Sequence, residues 1–584
     1  MPIFANPLGL LALLGIPAVL AIHFLQRKAR ELPISTLFLL QQTRREAASG
    51  RRFERLIPSI PLWMQLLAVC LLAWFLAQPR YTKSGSVQRV AIVIDSSASM
   101  SVFMDRALNR LNELLPTMKG AASSIEITLL ESAPNRPRIF TGTSAEKLRL
   151  ALEKWQPRDG PVDSTHALRL ARSLVSREGT VMYLTDTPVE NLPFNARLLA
   201  VGDPVENAGF TGVTFSTEEG TLVWKAMVRN YGSKPLDRTW WIETSAGTTE
   251  ARPLLLAPGA LATLQAAFPK DSENVRIVLS PDRFPLDDVL PLVAPKTKPI
   301  SLFVATSAAR AALAEKLLHS LDAAEPTNDA SSADLSITSY NPLDPVTSSG
   351  NSIVFVEDET SAGAWLKGGI VAKNDPLMDG LNWQTLLVRE TIELNQEEND
   401  KILLWQEKRP LILLRESEDA RQLRFNFDPA LSNAEKQPAF IVLLHRFSES
   451  IRMAKIAPVS ENLETGQLLK ITSKPEVPLS ITATDPAGKP IPTTNPQSAR
   501  HAISTPGFMK IQQGQHTLLT AAVHFGDPRE SDFSACRATE LTSDSNTASI
   551  ERHTRADPLW RLWILLLLAV MLLSWKFIAR IQLA

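Results

Sequence analysis

Three long apolar runs break an otherwise mixed pattern of polar and hydrophobic positions. They are Leu8–Phe24, Ile60–Ala77 and Trp560–Phe577. Each approaches the roughly 20 residues needed to cross hydrocarbon. Trp63 and Trp74 sit near the ends of the second run, and Trp560, Trp563 and Trp575 near those of the third, where aromatic rings favour a membrane interface. Nothing charged precedes Leu8, so the first run lacks the basic head of a cleavable signal peptide. The pattern predicts three transmembrane helices, over about 8–25, 60–77 and 559–578.

Between the second and third runs the periodicity changes repeatedly. Val90–Ile94 is short, continuous and β-branched, as in a strand buried on both faces. Asp105–Leu115 reads as an amphipathic helix, Ile125–Leu130 as a strand, Ala145–Trp155 and Ser164–Val175 as helices, and Thr180–Leu184 and Arg197–Val201 as strands. This alternation predicts a parallel α/β sheet over 86–203. From 207 to 295, short strands such as Leu222–Val228 and Trp240–Ile242 alternate with turns, predicting an immunoglobulin-like β-sandwich in which no chemistry-bearing cluster is expected. A second α/β region follows over 297–456. It has strands at Ile300–Ala305, Ile353–Val356, Leu411–Leu414 and Leu423–Phe427, and helices at Ala308–Leu321 and Pro438–Met453. A β-rich module over 466–541 and a Ser/Thr/Asn-rich linker over 542–557 complete the block. The fold class expected is thus a multidomain membrane protein with two α/β domains, a β-sandwich and a C-terminal β-rich module.

Charge adds orientation and exclusions. The loop between the first two spans carries Arg27, Lys28, Arg30, Arg44, Arg45, Arg51, Arg52 and Arg55 against Glu31, Glu46 and Glu54, which predicts that it stays in the cytoplasm. The large block then lies outside the inner (cell) membrane of a multi-pass protein. Arg552, Arg555 and Arg561 run against this rule, because they fall on the outer side of the third span. Over the whole chain 61 basic residues balance 61 acidic ones, which leaves no basic footprint for nucleic acid. The two cysteines, Cys70 and Cys536, exclude a disulfide framework and a cysteine-based zinc cluster.

Candidate chemistry sits where the first buried strand ends. Asp95-Ser96-Ser97-Ala98-Ser99 places a carboxylate and hydroxyls at the carboxyl end of that strand, where open α/β sheets bind ligands. Asp186 ends a second strand in the same layer. Two carboxylates with the Ser97 and Ser99 hydroxyls suit a hard divalent cation, Mg2+ or Mn2+, with an open position for water or a partner carboxylate. The same D-x-S-x-S pattern also serves as an ordinary helix N-cap.

These residues resemble the metal-ion-dependent adhesion motif of a von Willebrand factor type A domain. The resemblance implies Asp95, Ser97 and Ser99 as ligands, with Asp186 acting through water. The family has a threonine where Val162 stands here; Asp163, Ser164 and Thr165 lie beside it and are secondary candidates. Residues 1–80 resemble the aerotolerance-regulator (Bat-type) N-terminal double-transmembrane domain. That likeness is carried by Asn6-Pro7-Leu8, Pro17, His23-Phe24-Leu25, Leu32-Pro33 and Gln78-Pro79-Arg80. It implies an extracytoplasmic type A domain, other type A proteins as partners and a MoxR-type AAA+ ATPase. The segments Asn374–Leu377 and Asn426–Pro429 resemble class I glutamine-amidotransferase-like domains, but no cysteine lies between Cys70 and Cys536 to act as nucleophile. The expectation is a non-enzymatic, membrane-anchored, metal-dependent interaction protein acting in envelope assembly or stress tolerance. The alternative is a hydrolase working at the amidotransferase-like region or at the type A metal site.

Overall fold

The computed structural model describes residues 3–25, 59–539 and 552–583, except for internal gaps at 135, 177, 306–307, 341–349, 359–362, 418–419 and 494–499. The basic loop Arg27–Arg55 and the linker segment Thr542–Ser549 therefore lie outside the described residues. The architecture is multidomain, α/β and β-rich. Two compact units are present: Met1–Pro157 with Pro161–Pro204 and Ala535–Ala584, and Arg158–Gly160 with Val205–Ser534.

In the first unit, two helices are long and apolar enough to cross a membrane among the described residues, Ile60–Ala77 and Trp560–Ala579. The expected first span differs. It begins as a 3-10 helix over Pro7–Leu14 and becomes α-helical only at α1, Gly15–Leu25. Gly9 accounts for part of this geometry: a Cβ there would lie 2.3 Å from the Leu76 carbonyl carbon. The chain thus passes directly over the end of α2, Ile60–Ala77. Asn6 donates its backbone N–H to Ala77 and its Nδ2 to Leu76, so carbonyls that the helix end leaves open are satisfied. The left-handed Gln78 then turns the chain into β2, Pro79–Thr82. This strand lies between β1, Ile3–Phe4, and the strand Thr554–Ala556.

The α/β part of this unit is a five-stranded sheet. Its strands are β3 (Val87–Ile94), β4 (Ser124–Glu131), β5 (Phe140–Gly142), β6 (Thr180–Thr185) and β7 (Arg197–Ala200). The spatial order is β5-β4-β3-β6-β7, parallel except for the edge strand β5. Val90–Ile94 is buried throughout, as its run of apolar residues requires. The helices α3 (Met104–Lys119), α4 (Ala145–Lys154) and α5 (Thr165–Val175) fill the connections. Ala167, Leu168, Ala171 and Val175 of α5 pack against Ala91, Val93, Val181 and Tyr183 of the sheet.

In the second unit, residues 208–293 form two antiparallel sheets, of five and three strands, around a core containing Trp224 and Trp240. Their indoles meet edge to face at 6.2 Å. The second α/β region has an eight-stranded sheet, parallel from Ala324–Thr327 across to Arg421–Phe425 and antiparallel beyond. The last module is a four-stranded sheet. Its first strand is Val459–Glu464, ahead of the expected start at residue 466, and it pairs in parallel with His516–His524. The other end also shifts: Ala535–Thr539 leave the expected 466–541 module and bridge to β7 of the first unit, Val201 to Ala538.

Candidate metal site at the carboxyl edge of the parallel sheet

The strand register assembles the site. Ile94 pairs with Glu131 on one side and with Leu184 on the other, so the residues that follow, Asp95, Ser132 and Thr185, emerge side by side. Asp95 and Asp186 are 8% and 4% exposed, unusual burial for carboxylates without a counter-charge. Asp95 is held on all sides. Its Oδ1 accepts from the Ser97 backbone N–H at 3.1 Å and the Ser132 hydroxyl at 3.5 Å. Its Oδ2 accepts from the Tyr183 hydroxyl at 2.9 Å and the Thr185 hydroxyl at 2.8 Å. Tyr183 and Thr185 are two apart on β6, so strand alternation turns both toward the same carboxylate. Burial and the nearby Asp95 charge hold the Tyr183 phenol far above its ordinary range, keeping it a donor.

The Ser97 and Ser99 hydroxyls lie 3.2 Å apart. Thr185 also reaches Asp186 Oδ1 at 3.5 Å. The other oxygen, Asp186 Oδ2, is buried without a hydrogen-bond partner. Burial is the main cause that raises the Asp186 carboxyl; the Ser99 hydroxyl opposes it and the Asp95 charge adds to it. A buried carboxylate oxygen lacking a donor, beside a second carboxylate and two hydroxyls, is a donor set that fits a hard divalent cation or its bound water. Asp95, Ser97, Ser99 and Asp186 are therefore brought together.

The secondary candidates are placed differently. Asp163 is exposed, and the backbone N–H of Thr165 donates to it at 2.9 Å. This bond and the Thr165 hydroxyl lower the Asp163 carboxyl, which serves as a local cap for α5. Ser164 stands beside the Tyr183 hydroxyl, one group removed from Asp95. Tyr183, Thr185 and Ser132 were missed by sequence reasoning. The dipeptide Thr185-Asp186 at a strand end was the available signal for one of them.

The segment Ala535–Thr539 also abuts this edge. The Arg537 N–H donates to the Asp186 carbonyl at 3.3 Å, and the Cys536 thiol lies 3.5 Å from the Thr187 hydroxyl. Gly202 is confined here, since a Cβ would fall 1.9 Å from the Asp186 carbonyl oxygen.

A second acidic cluster, contrary to expectation, lies in the β-sandwich. Ligand oxygens of Asp282, Asp287 and Asp288 fall within 4.8 Å of one another. The Arg238 guanidinium pairs with both Asp282 and Asp288, supplying the counter-charge in place of a metal. Burial first, then Asp282, pushes the Asp288 carboxyl up to about 6. Asp287 is fully enclosed, raised well above the usual range, and receives the Asn207 amide at 2.9 Å. In the eight-stranded sheet, the two amidotransferase-like segments are occupied structurally. Asp375 pairs with Lys401, and Asn426 bonds the backbone of Leu394 and Pro410, each at 2.8 Å.

Residues 1–79 match the family described as aerotolerance regulator N-terminal. Residues 208–291 match a domain of unknown function (DUF7407). No curated protein matches the chain. Among solved structures, the three N-terminal domains of the type V pili tip protein Mfa5 from Porphyromonas gingivalis are similar at 17% identity over 19% of this chain and 22% of that one, with a TM-score of 0.14. A GH2 beta-galacturonidase from Eisenbergiella tayi is similar at 13% identity over 26% of this chain and 33% of that one, with a TM-score of 0.13. The chain thus spans about a third or less of either, and neither likeness carries a functional argument.

Proposed function

We propose that this chain is a membrane-anchored interaction protein whose α/β domain is of von Willebrand type A and binds partners through a divalent cation. The observation that carries this reading is the buried cluster of Asp95, Ser97, Ser99 and Asp186, with one Asp186 oxygen lacking a donor. Asp95 and Asp186 would hold Mg2+ or Mn2+ together with the two serine hydroxyls, and the cation would present an open position to a carboxylate of the partner protein. No nucleophile–base pair accompanies the cluster among the described residues, which favours binding over hydrolysis. The second α/β region is proposed as a non-catalytic domain of amidotransferase-like type, since its Asp-Pro segments are committed to structural bonds.

The match of residues 1–79 to the aerotolerance regulator N-terminal family supports an aerotolerance-related membrane protein; a role in envelope assembly or stress tolerance, with other type A proteins and a MoxR-type AAA+ ATPase as partners, is part of the proposal. Three spans remain the preferred topology. Eight 3-10 residues rising roughly 2.0 Å each and eleven α-helical residues at about 1.5 Å give ~32 Å, close to the hydrocarbon thickness. With Arg27–Arg55 inside, the large block is extracytoplasmic.

A photo-crosslinking residue at Thr187, beside the site, tests the reading in intact membranes. Adducts are expected that require Mg2+ and disappear with Asp95→Asn. Adducts indifferent to both chelation and Asp95→Asn would remove metal-dependent binding.

A further inference from the structure

The end of α2, β2 and the start of the C-terminal helix enclose a cavity of about 220 Å3. Its walls are aromatic, from Trp74, Trp560 and Trp563, and its polar rim is Arg80 and Asp557. The sequence explains the construction. The left-handed Gln78 ends α2, and the strand that carries Arg80 starts at the next residue. Arg80 Nε donates to the Thr554 hydroxyl at 2.9 Å, fixing the guanidinium against the neighbouring strand. Trp74 is fixed by Phe4, whose ring meets it edge to face at 6.0 Å. The Trp74 indole N–H is buried with no acceptor, so this wall offers a donor that the protein does not use.

The charge around the cavity selects the ligand. Asp557 is already committed: one oxygen takes the Leu559 N–H at 2.9 Å and the other the Trp563 indole at 2.8 Å. Each oxygen of Asp557 thus already holds a group at the start of the C-terminal helix. Arg80 lines the cavity together with this acid, and the Arg561 guanidinium lies over the ring of Trp560, one of its walls, at 5.5 Å. A guanidinium from Arg80 thus stands in an aromatic cavity between two helices long enough to cross a membrane.

We propose that this cavity binds an anionic phospholipid. The phosphate oxygens face the Arg80 guanidinium and the free Trp74 N–H, and the glycerol and upper acyl segments pack on the tryptophans. A phosphate satisfies both kinds of donor at once, and Arg is suited to it geometrically. The site would tie a lipid to the three strands that join the membrane helices to the α/β sheet. It rests on the membrane placement of the two long helices and is independent of the metal site.

The test is native mass spectrometry of the full-length protein from nanodiscs containing equal phosphatidylglycerol and phosphatidylcholine. Both headgroups carry the phosphate, and only phosphatidylcholine adds a choline cation that Arg80 repels, so phosphatidylglycerol is expected to be retained in preference by about tenfold. Arg80→Gln should abolish the preference, while Arg80→Lys keeps the charge and should keep most of it. Trp74→Phe removes only the N–H and should weaken retention several-fold; it decides the matter if Arg80→Gln does not fold. Free glycerol 3-phosphate should fail to displace the lipid. Equal retention of the two lipids by the unaltered protein, an unchanged preference in folded Arg80→Gln, or displacement by glycerol 3-phosphate would each overturn the proposal. None of these outcomes touches cation binding at Asp95.

Discussion

Asp186 carries an energetic cost in the cation-free protein. Its carboxyl is raised mainly by burial, and one oxygen has no partner. A carboxyl whose folded pKa is raised stabilises the fold fully only below the ordinary carboxylate range. As pH rises, the unfolded chain releases its proton first, and stability falls until the folded pKa is passed. Asp186→Asn is therefore expected to raise the thermal midpoint by a few degrees at neutral pH without cation, and to weaken cation binding. A calorimetric scan with and without Mg2+ reads both effects; a lower midpoint in the cation-free variant would contradict the assignment. Asp95, by contrast, is well supplied with donors. It accepts four bonds, and truncation to alanine would strand the buried Tyr183 and Thr185 hydroxyls at about 1–3 kcal/mol for each group left unsatisfied. Asp95→Asn, which keeps an acceptor for these hydroxyls, is therefore the cleaner probe. The placing of Asp95, Ser97 and Ser99 at one sheet edge was legible because D-x-S-x-S follows a β-branched strand, and that of Asp186 because it ends a second strand. Their hydrogen-bonding supports were not, because Ser132, Tyr183 and Thr185 meet Asp95 only through the register of neighbouring strands.

At the scale of elements, long periodic segments were readable and short or context-bound ones were not. Val90–Ile94 and Ser164–Val175 announce themselves by burial pattern. Phe140–Gly142 is an edge strand of three residues with no apolar alternation to mark it. The 3-10 turn of Pro7–Leu14 follows from close contact with α2 at Gly9, a tertiary constraint invisible in composition. The strand His516–His524 carries a titration of its own. Burial pushes the His524 imidazole down from 6.5 to about 4, with a Leu463 backbone group opposing weakly. A depressed histidine contributes stability that is full above the unfolded pKa and is lost as pH falls toward the folded one. Between pH 6.5 and 4 the second unit should lose on the order of 3 kcal/mol through this group. His524→Phe should flatten that part of a pH series of denaturant midpoints. An unchanged acid slope would place the loss elsewhere.

For the whole molecule, the sequence pattern divides the large block into modules, with boundaries at about residue 296, between 456 and 466, and at the 542–557 linker. The second unit is more continuous than that. Lys296 and Ser460 exchange two backbone hydrogen bonds of 3.0 and 2.9 Å, and Val459–Glu464 is a paired strand. These long-range pairings leave no local mark at either position. Limited tryptic digestion is expected to spare Lys296 and to yield a resistant fragment covering about 205–534; early cleavage at Lys296 would contradict this. The tail is equally concealed in the sequence. Ala535–Thr539 return to β7 and the Asp186 loop of the α/β sheet, and Thr554–Ala556 to β2 of the three-stranded sheet, so the segment before the C-terminal helix is tied down at two places. An isolated 86–203 fragment would lack both joins, so the proposed cation binding is best tested on the full chain. Titration of the full-length protein with Mg2+ or Mn2+ by calorimetry is the most direct measurement. The account predicts one cation per chain, lost in Asp95→Asn and tightened several-fold in Val162→Thr, which supplies the missing hydroxyl. No binding at millimolar cation, or binding that Asp95→Asn leaves unchanged, would contradict it.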